Sequence, residues 1–296
     1  MSKPLTIEVN GLIIDKEKTD YIVSKVKANN RYRNIDDEII KENLRRFAFD
    51  NFKLLKNDFD KIENSRFASE CIKYIRGELR KKSALYITKK TRGLLERILE
   101  SNRIDLVEIN KILKSHRSSA ERFEIYEELY KKIFSSTDKE AKENIRIADV
   151  GCGLNPFSYL FIPEEILKKC IFYAIDIDAE IVEAVEIFFE EYGIKGTAEK
   201  RDAIDFAEGI KKSRERFDVV MLFRILEIID EKGHKKSEKL IKDLDAELYI
   251  ASFSRKTISG KRMTMQNQPW FEKMIKRIGY EFSTFETENE IFYFCF

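Results

Sequence analysis

The chain is poor in the residues that build metal centres and acid–base relays. Its 296 residues include two histidines, His116 and His234, and four scattered cysteines, Cys71, Cys152, Cys170 and Cys295, with no Cys-x-x-Cys pair. Zinc sites need about four such ligands at recognisable spacings, so no metal is expected. The scattered cysteines fit a reduced compartment. No run of about 18 apolar residues occurs, so no helical membrane span is expected. The opening "MSKPLTIEVNGLIIDKEKTD" carries charges where a secretory leader needs an apolar block. A cytoplasmic protein with no membrane partner is the expectation. Glutamine occurs twice, at Gln266 and Gln268, while Lys, Glu, Arg and Ile are abundant. That composition leans towards a thermophile, although an AT-rich genome also raises Lys and Ile.

What is present is charge, unevenly placed. The formal net charge is +2, yet residues 1–146 hold 33 Lys and Arg against 25 Asp and Glu, and residues 147–296 hold 22 against 28. The basic excess is concentrated in residues 66–103, with 11 basic and 4 acidic side chains. One basic half points to a polyanion partner. A solvated helix face accounts for such a run equally well.

The length favours two domains. From about 17 to 135 the apolar spacing is helical, as in Phe59, Ile62, Cys71, Ile72, Ile75 and Leu79. Leu5–Ile7–Val9 and Leu12–Ile14 about Asn10-Gly11 read as a small hairpin. "SSAERFEIYEELYKKIF" reads as a helix capped by Ser118 or Ser119. The polar stretch 135–144 reads as a linker, which puts a mainly helical domain at 1–140 and a second domain at 141–296. In the second, short apolar runs at 145–150, 170–176, 217–223 and 247–253 alternate with helical stretches at 156–169, 179–192, 203–214, 224–244 and 269–278. Such alternation predicts a parallel sheet with helices on both faces. The aromatic ending "YEFSTFETENEIFYFCF" adds an antiparallel hairpin. The expected class is α/β: a Rossmann-like, mostly parallel sheet of the class I S-adenosylmethionine (SAM) methyltransferase shape, preceded by a mainly helical domain.

The chemistry centres on "ADVGCGLNPFS", residues 148–158. It follows the first strand of the second domain, where open parallel sheets bind ligands. Gly151 and Gly153 let backbone approach a ligand. A dinucleotide site would want a third glycine where Pro156 stands. Asp149 orients the turn and lies near a ligand ammonium group. Asp176, ending the next strand, is placed to accept from both ribose hydroxyls. Asp202, after the third strand, suits an adenine amino group, with Ala203 supplying backbone. Turn, ribose acid and adenine acid in that order favour SAM over a nicotinamide dinucleotide and over an empty turn. Cys152, Asn155 and Ile177 complete the expected cofactor set.

The same stretch resembles the Arm/Rmt/FmrO group, the aminoglycoside-resistance methyltransferases of 16S ribosomal RNA, including the Leu-Asn-Pro-Phe continuation. Two further segments support the resemblance. "HRSSAER" (116–122) is similar to the group's His-x-Ser-Thr-x-Glu-Arg, and "SFSRKTISGKRMTM" (252–265) to its Ser-Phe-Pro-x-x-Ser-Leu-Gly-Gly-Arg-x-x-Gly-Met loop. "LFRILEIIDE" sits where the group has a Phe-Lys-Leu-Leu run. The likeness covers roughly 105 to 296. It departs at Ser254, which replaces a proline, at Ser259 and Thr264, which replace glycines, and keeps Gly260. These departures put the loop's shape, and the target base with it, in question.

The resemblance implies a methyltransferase acting on a base nitrogen of 16S rRNA in the small ribosomal subunit, with guanine N7 as the acceptor. Cytidine N4 is the main rival. A small-molecule methyltransferase is a second enzymatic reading, and a catalytically silent RNA-binding or assembly factor is the reading from a different class. A ring nitrogen carries its lone pair already and needs no general base, which suits so few histidines. Phe223 and Arg224 lie where the acceptor approaches the methyl group, though Phe223 serves equally as core. By its match to the family, Arg122 reaches the SAM carboxylate; the alternative is an ion pair on its own helix. His116 reads as a capping or packing residue and Trp270 as core. Candidate RNA contacts are Arg80, Lys81, Lys82, Lys89, Lys90 and Arg92 in the basic stretch, with Arg255, Lys256, Lys261 and Arg262 in the loop. A monomer is expected.

Overall fold

The computed structural model describes residues 7–29, 32, 33, 35, 37–58, 61–63, 65–79, 88–136, 143–230, 233–256 and 262–296. The chain divides into two compact units, Met1–Ile87 and Thr88–Phe296.

In the first unit, β1 (Ile7–Val9) and β2 (Leu12–Ile14) pair antiparallel, with Ile7 opposite Ile14 and Val9 opposite Leu12. The Asn10-Gly11 turn has both residues at positive φ, 48° and 82°, the conformation that joins strands tightly and that Asn-Gly favours. Leu5, expected in this hairpin, lies outside the described residues. Among the described residues four helices follow: α1 (Lys16–Lys27), α2 (Asp37–Asp50), α3 (Phe52–Asp58) and α4 (Arg66–Leu79). Their apolar stripes meet in a core that includes Ile22, Val26, Ile40, Leu44, Leu55, Phe67, Cys71, Ile75 and Leu79, all fully buried. Phe59 lies outside the described residues.

The second unit opens with α5 (Lys89–Ser101), α6 (Leu106–Ser115), α7 (Arg117–Arg122) and α8 (Tyr126–Ser135). The sequence alternation then takes shape as β3 (Ile145–Val150), α9 (Glu164–Leu167), β4 (Cys170–Asp176), α10 (Ala179–Tyr192), β5 (Gly196–Lys200), α11 (Ala203–Ser213) and β6 (Phe217–Phe223). It continues with α12 (Leu226–Ile229), α13 (Lys235–Asp243), β7 (Ala246–Ser254), α14 (Pro269–Arg277), β8 (Phe282–Glu286) and β9 (Glu290–Cys295). The seven strands lie in the order β5-β4-β3-β6-β7-β9-β8. β3 to β7 are parallel, β9 runs antiparallel to β7, and β8 antiparallel to β9. The fold is the expected Rossmann-like α/β sheet closed by an antiparallel hairpin. Every residue of β6 is buried, as an all-apolar run in a doubly covered sheet should be.

The structure departs from the sequence pattern in identifiable places. The helix expected at 156–169 is a 3-10 stretch, Asn155–Phe161, followed by the single turn of α9. Pro163 breaks it by forcing Ile162 to an extended ψ of 133°. The helix expected at 224–244 is split into α12 and α13, with Gly233 and His234 at positive φ between them. Ser118 and Ser119 lie inside α7, not at its cap; His116 holds the N-cap position, and a 3-10 turn at Phe123–Ile125 separates α7 from α8.

The compact units divide at 87/88, whereas the composition placed the boundary at 140/141. Helices α5 to α8 fall in the same compact unit as the sheet: Tyr130 of α8 meets Ser158 of the 3-10 stretch at 2.7 Å, Arg92 of α5 meets Glu180 of α10, and Arg122 of α7 meets Glu290 of β9. Helical periodicity runs on unchanged across residue 88, so the pattern gave no sign of the break.

Candidate cofactor and active site

The turn after β3 is built by its backbone. The amides of Gly151 and Cys152 both donate to the Ile175 carbonyl, at 2.8 and 2.9 Å. Gly151 and Gly153 take φ of +68° and +51°, which side chains disfavour. A Cβ on Gly151 would also stand 2.3 Å from Ile225 Cδ1. Beside Gly153 nothing lies within 4 Å of where a Cβ would be, so the turn opens there onto free space.

Two carboxylates flank the turn, Asp149 at the end of β3 and Asp176 at the end of β4. Asp176, half-buried at the end of β4, accepts the Gly153 amide on one oxygen and the Asp178 amide on the other, both at 2.9 Å. Burial pushes its carboxyl up to about 6, against the pull of those two amides. Asp149, fully buried, accepts from Asn155 Nδ2 at 2.8 Å and from the Tyr159 hydroxyl at 2.9 Å, both on Oδ2. Its Oδ1 is buried with no partner. Burial pushes this carboxyl up to about 7, although Asn155, Tyr159 and Arg122 all pull it down. A buried acceptor without a donor is costly unless something supplies one. Cys152 is buried, and burial holds its thiol well above its ordinary value.

At the end of β5, Asp202 caps α11, accepting the Ile204 amide at 2.8 Å, and Ala203 beside it is buried. Ile177, half-buried, lies between Asp176 and the α10 cap, Asp178. Asp149, Gly151, Cys152, Gly153, Asn155, Asp176, Ile177, Asp202 and Ala203 thus all sit at the carboxyl ends of β3, β4 and β5.

Arg122 is buried and bonds bidentately to Glu290, Nε to Oε2 at 2.9 Å and Nη2 to Oε1 at 2.6 Å. Its guanidinium lies 4.7 Å from the Phe223 ring centre, a cation–π distance. The acidic partner is therefore not on its own helix. Arg224, at φ +57°, bonds through Nη2 to Glu121 at 2.7 Å and to Glu290 at 2.9 Å, and its buried Nε has no partner. Its amide donates to Ser252 Oγ at 3.1 Å, and the Ser252 hydroxyl donates to Glu290. Burial alone would raise the Glu290 carboxyl, but Arg122 and Arg224 hold it below its ordinary value. Phe223 is buried, its ring edge-on to Phe292 at 5.6 Å. His116 is buried, and burial with the nearby Arg122 and Arg224 pushes its imidazole down to about 3, so it stays neutral.

Sequence reasoning missed Glu290, the hub that joins Arg122, Arg224 and Ser252, and Tyr159, which holds Asp149. The signal for Glu290 was present: a lone acid opens an otherwise apolar terminal strand, and every residue of that strand is buried.

The candidate RNA contacts divide. Lys89 and Lys90 are exposed in the first turn of α5, and Arg262 is exposed. Arg92 is mostly buried against Asp178 and Glu180. Arg255 is held by Gln266 at 2.9 Å, the Thr287 carbonyl at 2.8 Å and Glu286 at 3.1 Å, and Lys256 by Glu288 at 2.6 Å. Arg80, Lys81, Lys82 and Lys261 lie outside the described residues. Trp270 packs edge-on to Phe253 and stacks on His234 at 3.8 Å. Among the described residues, no cluster of His, Cys, Asp and Glu is placed to hold a metal, and no helix is long and apolar enough to cross a membrane.

A family profile described as ribosomal RNA methyltransferase (FmrO) matches residues 69–294. A curated 16S rRNA (guanine(1405)-N(7))-methyltransferase of Proteus mirabilis is 30% identical over 158 residues, which span 53% of this chain and 52% of that protein. The chain thus matches about half the length of that relative. The 16S rRNA methylase RmtF, solved with S-adenosyl-L-homocysteine, shares the fold at 18% identity with a TM-score of 0.68, over 95% of this chain and 98% of that one. The 16S rRNA methylase ArmA aligns at 25% identity with a TM-score of 0.51, over 71% of this chain and 98% of that one.

Proposed function

This chain belongs to the FmrO family of ribosomal RNA methyltransferases, and from that membership we propose that it methylates guanine N7 in 16S rRNA of the small ribosomal subunit, with SAM as donor. The observation that carries the reading is the cradle at the carboxyl ends of β3 to β5. It has free space beside Gly153, two carboxylates held by backbone amides and side-chain donors, and the unspent buried oxygen of Asp149.

Each residue has work that its geometry permits. Asp176, already oriented by two amides, keeps lone pairs for the ribose hydroxyls. Asp202 and Ala203 hold the adenine edge. Asp149 Oδ1 faces the ammonium of the methionyl part, which supplies the donor it lacks. Arg122 is fixed by Glu290 on one edge and offers its remaining N–H groups to the methionyl carboxylate. Cys152, Asn155 and Ile177 line the nucleoside. When bound, SAM supplies a sulfonium-activated methyl group. Phe223 and Arg224 border the side from which the base approaches. The protein's contribution is positioning and exclusion of water. Guanine N7 asks for no proton transfer, consistent with a buried, neutral His116.

The unit at 1–87 and the exposed Lys89, Lys90 and Arg262 dock the RNA through phosphates, which gives affinity with little sequence information. The enzyme works in the cytoplasm as a monomer, as a housekeeping ribosomal modification in a heat-adapted organism. Incubation with labelled SAM and unmodified 30S particles, followed by nucleoside mass spectrometry, tests the reading. The expected product is 7-methylguanosine. A label on cytidine N4 would move the target, and an unlabelled subunit would remove the activity.

A further inference from the structure

Arg92 belongs by sequence to the basic stretch, yet its side chain is 13% exposed, while Lys89 and Lys90 in the preceding turn are open to solvent. One Nη donates to Glu180, and the other lies 3.4 Å from Asp178 Oδ2. Both partners are buried as deeply, Asp178 at 4% and Glu180 at 10% side-chain exposure. They open α10. Asp178 caps it, accepting the Glu180 amide at 3.1 Å, and the Asp178 amide in turn donates to Asp176 Oδ1 at 2.9 Å. A chain of contacts therefore runs from the α5 guanidinium, through the α10 cap, to the carboxylate at the end of β4.

We propose that Arg92 is a positioning residue of the cofactor site, which aims Asp176 at the ribose by clamping Asp178 and Glu180, and is not a phosphate contact. The proposal rests on the reading of Asp176 as the ribose acid.

The physical case is electrostatic. Asp176, Asp178 and Glu180 place three carboxylates within five residues. Burial raises both Asp176 and Asp178; the Asp178 charge raises Asp176 further, and Arg92 is the cation that pulls Asp178 down. Asp149 on β3 and Cys152 in the turn also neighbour Asp176, and on β5 Lys200 is its register partner, followed by Arg201, whose amide donates to the Asp176 carbonyl. A guanidinium presents a fork that engages two carboxylates at once; an ammonium is a single point. Removing one partner of a buried ion cluster leaves charge without compensation. Here the acids would repel, the cap would loosen, and Asp176 would hold its proton to higher pH.

The test is calorimetric titration of the full-length chain with S-adenosylhomocysteine between pH 5.5 and 8.5, alongside salt-dependent binding to 30S particles. Wild type should bind, and Asp176→Asn should weaken binding tenfold or more. Arg92→Gln should weaken it about tenfold at pH 7 and move the acid limb of the affinity profile up by roughly half a unit. Arg92→Lys should recover part of both effects, and neither variant should alter the salt dependence of 30S binding. The reverse result, wild-type nucleoside affinity and pH profile with a salt slope reduced by about one for Arg92→Gln, would overturn the proposal and return Arg92 to the RNA. If Arg92→Gln does not fold, Arg92→Lys decides: reduced affinity with a shifted acid limb supports the clamp, and wild-type behaviour in both rejects it. A wild-type chain that ignores the nucleoside, or an Asp176→Asn variant that binds it normally, would instead defeat the ribose-acid reading and the clamp with it.

Discussion

Gly151 has two independent reasons to be glycine: a φ of +68° and an Ile225 methyl 2.3 Å from where a Cβ would lie. The obstructing atom is the far end of a flexible chain, so the backbone conformation carries most of the cost. Gly151→Ala should destabilise the protein by about 1–3 kcal/mol and weaken S-adenosylhomocysteine binding by about tenfold, read by urea unfolding and calorimetry. The two acids of the cradle predict a pH response. Asp149 and Asp176 are raised to about 7 and about 6, in both cases chiefly by burial. The folded chain therefore holds their protons more tightly than the unfolded chain does. Their contribution to stability is complete below about pH 4 and is lost as pH rises through 6 to 7. Ligand donors favour the ionised forms, so binding at pH 6.5 should release protons and affinity should fall towards pH 5.5. Titrations in buffers of different ionisation enthalpy measure the release. Apoprotein melting curves should lose this part of their pH dependence in Asp149→Asn and Asp176→Asn.

At the scale of elements, the terminal hairpin does more than close the sheet. β9 delivers Glu290 between α7 and the ends of β6 and β7, where it bonds Arg122, Arg224 and Ser252. Those residues come from three of the family-like segments, and this one carboxylate bonds to all three, beside the direct bonds of Arg224 to Glu121 and to Ser252. Glu290→Gln leaves two buried guanidiniums with Glu121 as the remaining carboxylate, on Arg224 alone. A loss of about 3–5 kcal/mol is expected, read as a lower urea midpoint with an unchanged m-value. Methyl transfer should fall with it, because Arg122 loses its orientation. Substituting Glu121, whose carboxylate is 16% exposed and which also pairs with Arg117, should cost less. The ranking of these two variants checks the hub assignment.

For the whole molecule, the division at 87/88 predicts separable roles. Residues 88–296 alone should fold and bind S-adenosylhomocysteine within about threefold of the full chain while losing most 30S affinity, since phosphate contacts dominate such binding. Calorimetry and filter binding across salt concentrations check both parts. The sequence by itself determined the sheet and the cradle, because strand alternation, the glycine turn and the acids ending β4 and β5 are local patterns with local physical causes. The same holds for the tight Asn10-Gly11 hairpin. Only the tertiary structure decided that α5 to α8 belong with the sheet, that Arg92, Arg255 and Lys256 are held in ion pairs, and that Glu290 joins Arg122 to Arg224. Periodicity records which face of a segment avoids water, but the partner of a buried charge is set by packing between residues as far apart as 122 and 290.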